Sequence, residues 1–202
     1  MPAHYLSCAE TAKLVRQSLK EAFPDVKFSV KSDTYSMGAS IAVRWLDGPN
    51  VQQVESVVGR FEASYFDGSI DYKGSIYHMM DGKQIRFGAD SVRCGRENSD
   101  AAVQRAIDRV FRRFAANFAD GRQSKPTVAQ FNRGELYNVQ LPNLRINGGE
   151  SVQTEVRRAM TKATDRLKVC PSPTAGKVFV THDDGYSRSS GSGFSAVSQE
   201  TL

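Results

Sequence analysis

The residues in this sequence best suited to bind a partner are four arginines within residues 99–118. They are Arg105, Arg109, Arg112 and Arg113. Because they recur at spacings of three and four residues, they share one side of a helix. Each guanidinium group offers planar, bidentate contact to a carboxylate or a phosphate. The alternative interpretation is an ordinary solvated helix face whose charge is relieved by Asp108.

The helix that must position these arginines is marked by a cap and an apolar stripe. Ser99 and Asp100 supply an N-terminal cap and a negative charge at the positive end of the helix dipole. The apolar residues recur at helical spacing on the side opposite the arginines. They are Val103, Ile107, Val110, Phe111, Phe114 and Phe118. The sequence therefore predicts one core helix of about five turns.

A second helix, predicted over residues 150–169, repeats this arrangement. Its apolar residues form a stripe at helical spacing, and Arg157, Arg158 and Arg166 lie off that stripe. These three arginines are the second group of candidate partner-binding residues.

The basic charge is concentrated in the second half of the chain. Residues 1–98 hold twelve basic and twelve acidic side chains, whereas residues 99–202 hold fifteen basic and ten acidic ones. Eleven of those fifteen are arginine, the cation preferred for bidentate contact to anionic groups. This bias indicates a binding surface for an anionic partner.

The first half predicts alternating helices and strands. In order, the predicted elements are a helix over residues 8–23, strands over 26–30 and 41–45, a helix over 51–61, and strands over 68–79 and 84–94. A capping box at Ser7 and Glu10 begins the first helix. With the core helix that follows, the order is α-β-β-α-β-β-α. We expect an α+β fold in which helices cover an antiparallel sheet, followed by a smaller α/β extension and a disordered tail.

Three short segments carry a resemblance to a known family. They are AFPDVKFSV, the W-x-DGP of Trp45 to Pro49, and the FDG of Phe66 to Gly68. With them, residues 8–98 resemble the large polyvalent protein-associated domains carried by bacteriophages and conjugative elements. The segments are turn and core features rather than catalytic ones, so the resemblance implies context more than chemistry. The implied context is mobile DNA, whose accessory proteins often protect incoming DNA or disable host defence.

Composition also predicts the domain boundaries. We expect a core domain over residues 1–120, a basic C-terminal extension or small lobe over 121–182, and a flexible Ser/Gly-rich tail over 183–202. Within the extension, residues 122–130 read as a linker and 177–182 as a short strand at a sheet edge.

Catalytic and metal-binding patterns are not recognisable in the sequence. The histidines His4, His78 and His182 are far apart, and none has a cysteine or histidine neighbour at chelating distance. His182, Asp183 and Asp184 fit a polar strand end better than a metal site. Cys94 lies beside Arg93, but its alternation with apolar residues favours a core thiol. No enzyme activity, metal or cofactor is therefore predicted.

Together these observations predict a non-catalytic binding protein of a mobile genetic element that counteracts host defence, of the anti-CRISPR or anti-restriction type. Its partner would be a host defence nucleoprotein complex or one of its subunits. The alternative is a nucleic-acid-binding accessory protein that contacts the phosphates of DNA or RNA through its arginine-rich helix. No long apolar run or leader pattern is present, so we expect the protein to act in the cytoplasm of the host cell, without a membrane partner.

Overall fold

The computed structural model of the chain describes residues 3–119, 123–141, 150–164 and 167–186. The chain divides into two compact units. The first comprises Met1–Trp45, Val51–Arg96 and Lys168–Leu202, and the second comprises Leu46–Asn50 and Glu97–Leu167.

Helices and strands both contribute to the described part of the chain, which confirms the α+β class. The helices are α1 (Cys8–Ala22), α2 (Val51–Val58), α3 (Asp100–Arg113), α4 (Ala115–Phe118), α5 (Val128–Asn132), α6 (Val152–Thr164) and α7 (Pro173–Gly176). The strands are β1 (His4–Leu6), β2 (Phe28–Tyr35), β3 (Gly38–Leu46), β4 (Ser64–Asp67), β5 (Tyr72–Met80), β6 (Lys83–Phe87), β7 (Ser91–Glu97) and β8 (Val178–Asp183). Short 3₁₀ helices lie at Gly59–Phe61 and Glu135–Asn138.

Two sheets replace the single antiparallel sheet that the sequence predicts. Five strands form one sheet in the order β1-β6-β5-β4, with β8 also paired to β5, and β2-β3-β7 form the other. Strand β1 pairs with β6 in parallel, which the prediction did not include. The strand expected over 68–79 is β5, and the strand expected over 84–94 is divided into β6 and β7 by a bend after Phe87. Strand β4 precedes both ranges and was not predicted.

Local sequence patterns explain most of these elements. The Ser7 side chain accepts from the Glu10 backbone N–H, and the Glu10 side chain accepts from the Ser7 backbone, so the predicted capping box begins α1. Strands β2 and β3 form the expected hairpin, with Phe28 opposite Trp45. Gly82, with φ of 74°, allows the tight turn between β5 and β6.

The first unit is organised around the apolar faces of α1, α2 and both sheets. Val15, Leu19, Ile41, Val54 and Phe61 are fully buried in one continuous cluster. The strand predicted over 177–182 is confirmed as β8, which pairs with β5 in this unit.

The second unit is built on α3 and α6. Val103, Ile107 and Val110 of α3 are buried in one cluster with Val152 and Val156 of α6. Phe114 ends α3, so the predicted single helix is divided into α3 and α4. The segment predicted as a linker contains the start of α5, where Thr127 and Gln130 form a capping box.

The two units therefore do not follow the predicted ranges 1–120, 121–182 and 183–202. The apolar stripe of α3 packs against α6, which places α3 with the later residues. Strand β8 pairs with β5 and so returns to the first unit. Both differences have the same cause. The apolar stripe of a helix or the edge of a strand must be covered by another element, but the local sequence does not determine which element covers it. The predicted tail falls outside the described residues from position 187 onward.

Candidate functional site: the arginine face of helix α3

Helix α3 presents its arginines to solvent on the side opposite its buried stripe. We call Arg105, Arg109, Arg112 and Arg113 the arginine face, and all four side chains are exposed. Ala106 and Val110, on the other side of the helix, are buried. The amphipathic pattern therefore places the charged side as expected.

The side chains of Ser99 and Asp47 together fix the start of α3. Ser99 caps the helix by accepting from the Ala102 backbone N–H. The Ser99 hydroxyl in turn donates to Asp47 at 2.6 Å, and the Ser99 backbone N–H donates to the same carboxylate at 2.9 Å. This anchored N-terminus holds the arginine face on a rigid element.

Asp108 lies beside the arginine face, and its closest partners are other side chains. Its carboxylate lies 2.7 Å from the Lys125 ammonium and accepts from the Gln104 amide at 3.0 Å. The hydrogen bond from Lys125 lowers the pKa of Asp108, so the carboxylate is held ionised by a lysine. Lys125 and Gln104 are thus its closest partners, and the charge of Arg112 also favours its ionised form.

Three members of the arginine face have no carboxylate partner among the residues that the structure describes. Arg105 and Arg109 make no ion pair there, and Arg112 donates only to the backbone oxygen of Asp108, at 3.3 Å. At 1.5 Å of rise per residue, the positions of Arg105 and Arg112 lie about 10 Å apart along the helix. Three cations are therefore available over two helical turns.

Arg113 and Arg158 are engaged within the second unit. Glu155, whose side chain is 3% exposed, lies 3.8 Å from Arg113 Nη1 and accepts a hydrogen bond from Arg158 Nη1. Arg158 also donates to Glu150 at 2.9 Å, and this hydrogen bond raises its pKa. These contacts join α3 to α6, because two guanidinium groups meet one buried carboxylate.

The remaining predicted residues lie in different surroundings. Arg157 is exposed, and its guanidinium carbon lies 5.4 Å from the centre of the Tyr137 ring. Arg166 lies outside the described residues. The structure thus brings Arg105, Arg109 and Arg112 together as an unpaired set and gives Arg113 and Arg158 intramolecular partners.

The cysteine, histidine and aspartate side chains considered for catalysis or metal binding have the burial and hydrogen bonds of residues with a structural role. Burial raises the pKa of the Cys94 thiol to about 12 and lowers the pKa of His78 to about 4. Asp184 accepts hydrogen bonds from the hydroxyls of Tyr65 and Tyr72. Within the described residues, no group of three or more His, Cys, Asp or Glu side chains is placed to hold a metal ion. None of the helices described is both long and apolar enough to span a bilayer.

A cleft in the first unit was missed by the sequence reasoning. It has a volume of about 400 Å³ and is lined by residues that include Tyr5, Tyr35, Lys73, Arg86 and Asp90. These residues come from segments far apart in the chain, so no local motif marks them. The sequence feature that could have indicated the cleft is the alternation of exposed side chains along β5 and β6.

Comparison with known proteins relates part of the chain to a family. Residues 6–99 match the family described as large polyvalent protein associated domain 29. The resemblance drawn from the sequence is thereby confirmed, and the family is one associated with phages and other mobile elements. The matched segment supplies most of the first unit, while the arginine face lies beyond its end. No curated protein and no solved structure matches the chain significantly.

Proposed function

We propose that this protein is a non-catalytic binding protein of a mobile genetic element that counteracts host defence, of the anti-CRISPR or anti-restriction type. It acts in the cytoplasm of the host cell by occupying an anionic surface of a defence nucleoprotein complex or of one of its subunits. The observation that carries the proposal is the set of three exposed arginines on α3 without carboxylate partners among the described residues.

The rigidity of α3 supports a binding role for these arginines. Their backbone is held by the Ser99–Asp47 contacts and by a buried apolar stripe, so binding a partner orders only side chains. Arginine is also more weakly hydrated than lysine, which reduces the cost of bringing its charge into an interface. A fixed row of guanidinium groups therefore fits a partner with carboxylates or phosphates at matching spacing.

The mobile-element context supports the choice of partner. Residues 6–99 match a domain family associated with phages and mobile elements, whose cargo meets host defence when DNA enters a cell. Defence complexes that bind nucleic acid present both phosphates and protein surfaces to an inhibitor.

Direct contact to nucleic acid is the second candidate function. Three arginines over about 10 Å of helix suit the regularly spaced phosphates of a duplex. The two candidates differ in what survives nuclease treatment, because a protein-directed inhibitor stays bound to its target when free nucleic acid is digested.

The test begins with a tagged pull-down from host lysate, with and without nuclease, followed by mass spectrometry. Recovery of a defined defence complex after nuclease treatment supports the inhibitor, whereas recovery of nucleic acid alone favours the second candidate. The pull-down is paired with plasmid or phage transfer into hosts that carry a CRISPR or restriction system. Expression of the protein is expected to raise transfer, and no increase in any of these hosts would argue against an anti-defence role.

The arginine face is tested by charge reversal with a matched control. The arginine-face variant carries Arg105→Glu and Arg109→Glu, and the control carries Lys13→Glu and Lys27→Glu, two exposed lysines of the first unit. Both proteins have the same net charge. Loss of target recovery and of transfer only in the arginine-face variant supports the proposal, and equal behaviour of the two proteins contradicts it.

A further inference from the structure

The outward face of the five-stranded sheet in the first unit carries exposed aromatic side chains. Along β5, Ile76 and His78 are buried, while Tyr77 is 37% exposed on the opposite face. Phe179 on β8 and Tyr5 on β1 are 63% and 59% exposed. Because side chains alternate along a strand, the register of these strands places the three rings on one face.

Four of these outward residues form a row that crosses the sheet. His182 on β8 pairs with Tyr77 on β5, and Arg86 on β6 pairs with Tyr5 on β1. Tyr77 and Arg86 each lie one residue beyond the paired residues His78 and Ile85, so they are neighbours across β5 and β6. We call Tyr5, Arg86, Tyr77 and His182 the sheet row. It spans four strands, or about 14 Å.

Two rings of the sheet row, Tyr77 and His182, are stacked on each other. The centres of the Tyr77 and His182 rings lie 4.5 Å apart, and their planes differ by 10°. Phe179 pairs with Met79, the next outward residue on β5, and extends the apolar surface beside the row. Flat rings with one exposed side accept another planar ring of any identity.

The cleft adjoins the Tyr5 end of this row and adds a tyrosine and a lysine, whose charge is balanced by Asp90. Tyr5 and Arg86 line it together with Lys73 from β5 and Tyr35 from β2. The nearby carboxylates are already engaged. Asp90 lies 2.8 Å from Lys73 Nζ and accepts from the Ala39 backbone N–H.

Asp184 is engaged in the same way, since it accepts hydrogen bonds from two tyrosine hydroxyls and the Ser75 backbone N–H. No carboxylate belongs to the sheet row itself, so the charge that it presents through Arg86 is positive.

We propose that the sheet row and the adjoining cleft bind single-stranded nucleic acid. Bases stack on Tyr5 and Tyr77, and phosphates contact Arg86. Alternation of rings with a guanidinium group complements a strand that alternates bases with phosphates. A duplex does not fit, because its base faces are already stacked. The site belongs to the first unit and is independent of the arginine face.

Fluorescence anisotropy tests this site with the full chain and three labelled probes of about 12 nucleotides, namely oligo-dT, oligo-rU and a DNA duplex. The two single-stranded probes distinguish DNA from RNA as the ligand. We expect single strands to bind and the duplex to bind at least about fivefold more weakly. Substitution of both Tyr5→Ala and Tyr77→Ala is expected to raise the Kd for single strands at least about fivefold.

Conservative and matched variants separate stacking from other effects. Tyr5→Phe with Tyr77→Phe keeps both rings and is expected to change the Kd less than about twofold. Tyr137→Ala removes an exposed tyrosine of the second unit and is expected to leave the Kd unchanged. A urea unfolding curve for each variant, followed through the buried Trp45, establishes that the first unit is folded.

Four outcomes would overturn the proposal. These are the absence of single-strand binding, equal binding of duplex and single strands, an unchanged Kd after both alanine substitutions, and loss of binding in the arginine-face variant alone. The last outcome assigns the ligand to α3 and leaves the function proposed for that helix standing.

Discussion

Asp184 anchors the end of β8 to β4 and β5, and its removal is expected to destabilise the first unit. Its carboxylate accepts from the Tyr65 hydroxyl at 2.5 Å, the Tyr72 hydroxyl at 2.8 Å and the Ser75 backbone N–H at 2.9 Å. These partners lie more than a hundred residues earlier in the chain. Asp184 therefore joins the C-terminal part of the first unit to β4 and β5.

The magnitude follows from the contacts that are lost. A hydrogen bond to a charged group contributes about 1.5–3 kcal/mol, but contributions within one network are not additive and Asp184 is partly exposed. Asp184→Ala also removes the acceptor that Asp184 provides to the hydroxyl of the buried Tyr65. We expect the free energy of unfolding to fall by about 2–3 kcal/mol. With an m-value of about 2 kcal/mol per molar urea, the midpoint falls by about 1–1.5 M.

Urea denaturation followed by the fluorescence of Trp45 measures this change. Trp45 is the single tryptophan of the chain and is buried in the core of the first unit. The matched control is Asp183→Ala, because Asp183 accepts from the Gly185 backbone N–H and touches no tyrosine hydroxyl in the contacts described. This control is expected to change stability by less than about 0.5 kcal/mol. Equal midpoints for the two variants would refute the anchoring role of Asp184.

Three further predictions concern pH, packing and salt. Burial lowers the pKa of His78 from 6.5 to about 4, so the unfolded state binds the proton first as pH falls and stability is lost between about pH 6.5 and 4. The free energy of unfolding should drop by about 2 kcal/mol more in the natural protein than in His78→Gln between pH 7 and 5, and parallel curves in urea titrations would contradict this. Gly74→Ala places a methyl group against the Tyr65 ring and should cost about 1–3 kcal/mol in urea unfolding, whereas Gly176→Ala meets nothing within 4 Å and serves as the control. If the arginine face binds duplex DNA through three phosphates, a plot of the log of the binding constant against the log of the salt concentration should have a slope of about −3. In the arginine-face variant the slope should be shallower by about 2. An affinity that does not change with salt would exclude phosphate contact.

The helices with strong local patterns were predictable from the sequence. The Ser7–Glu10 capping box, the Val51 to Phe61 stripe and the Ser99 cap lie on the elements that they predict. The arginine face also follows from the sequence alone, since the period of a helix decides which residues share a side. The match of residues 6–99 to a mobile-element domain family was likewise visible in short segments of the chain.

The partners of these elements were not predictable in the same way. Arg113 and Arg158 read as surface cations, but Arg113 reaches Glu155 from α3, and Arg158 contacts the same carboxylate within α6. Asp184 reads as the start of a polar tail, yet it receives hydroxyl hydrogen bonds from β4 and β5. Strand β1 has only three residues, too few for a recognisable period, and it is fixed by pairing with β6.

The sequence by itself determined which segments become helices and strands, and which side of each is apolar or charged. Those properties depend on residues within one or two turns of each other, so periodicity and capping suffice to specify them. The tertiary structure alone decided that α3 packs on α6 and that β8 returns to β5. It also assembled the sheet row from residues as distant as Tyr5 and His182. Such contacts depend on which apolar surfaces and strand edges meet in the folded chain, and each edge or stripe could be satisfied by several partners.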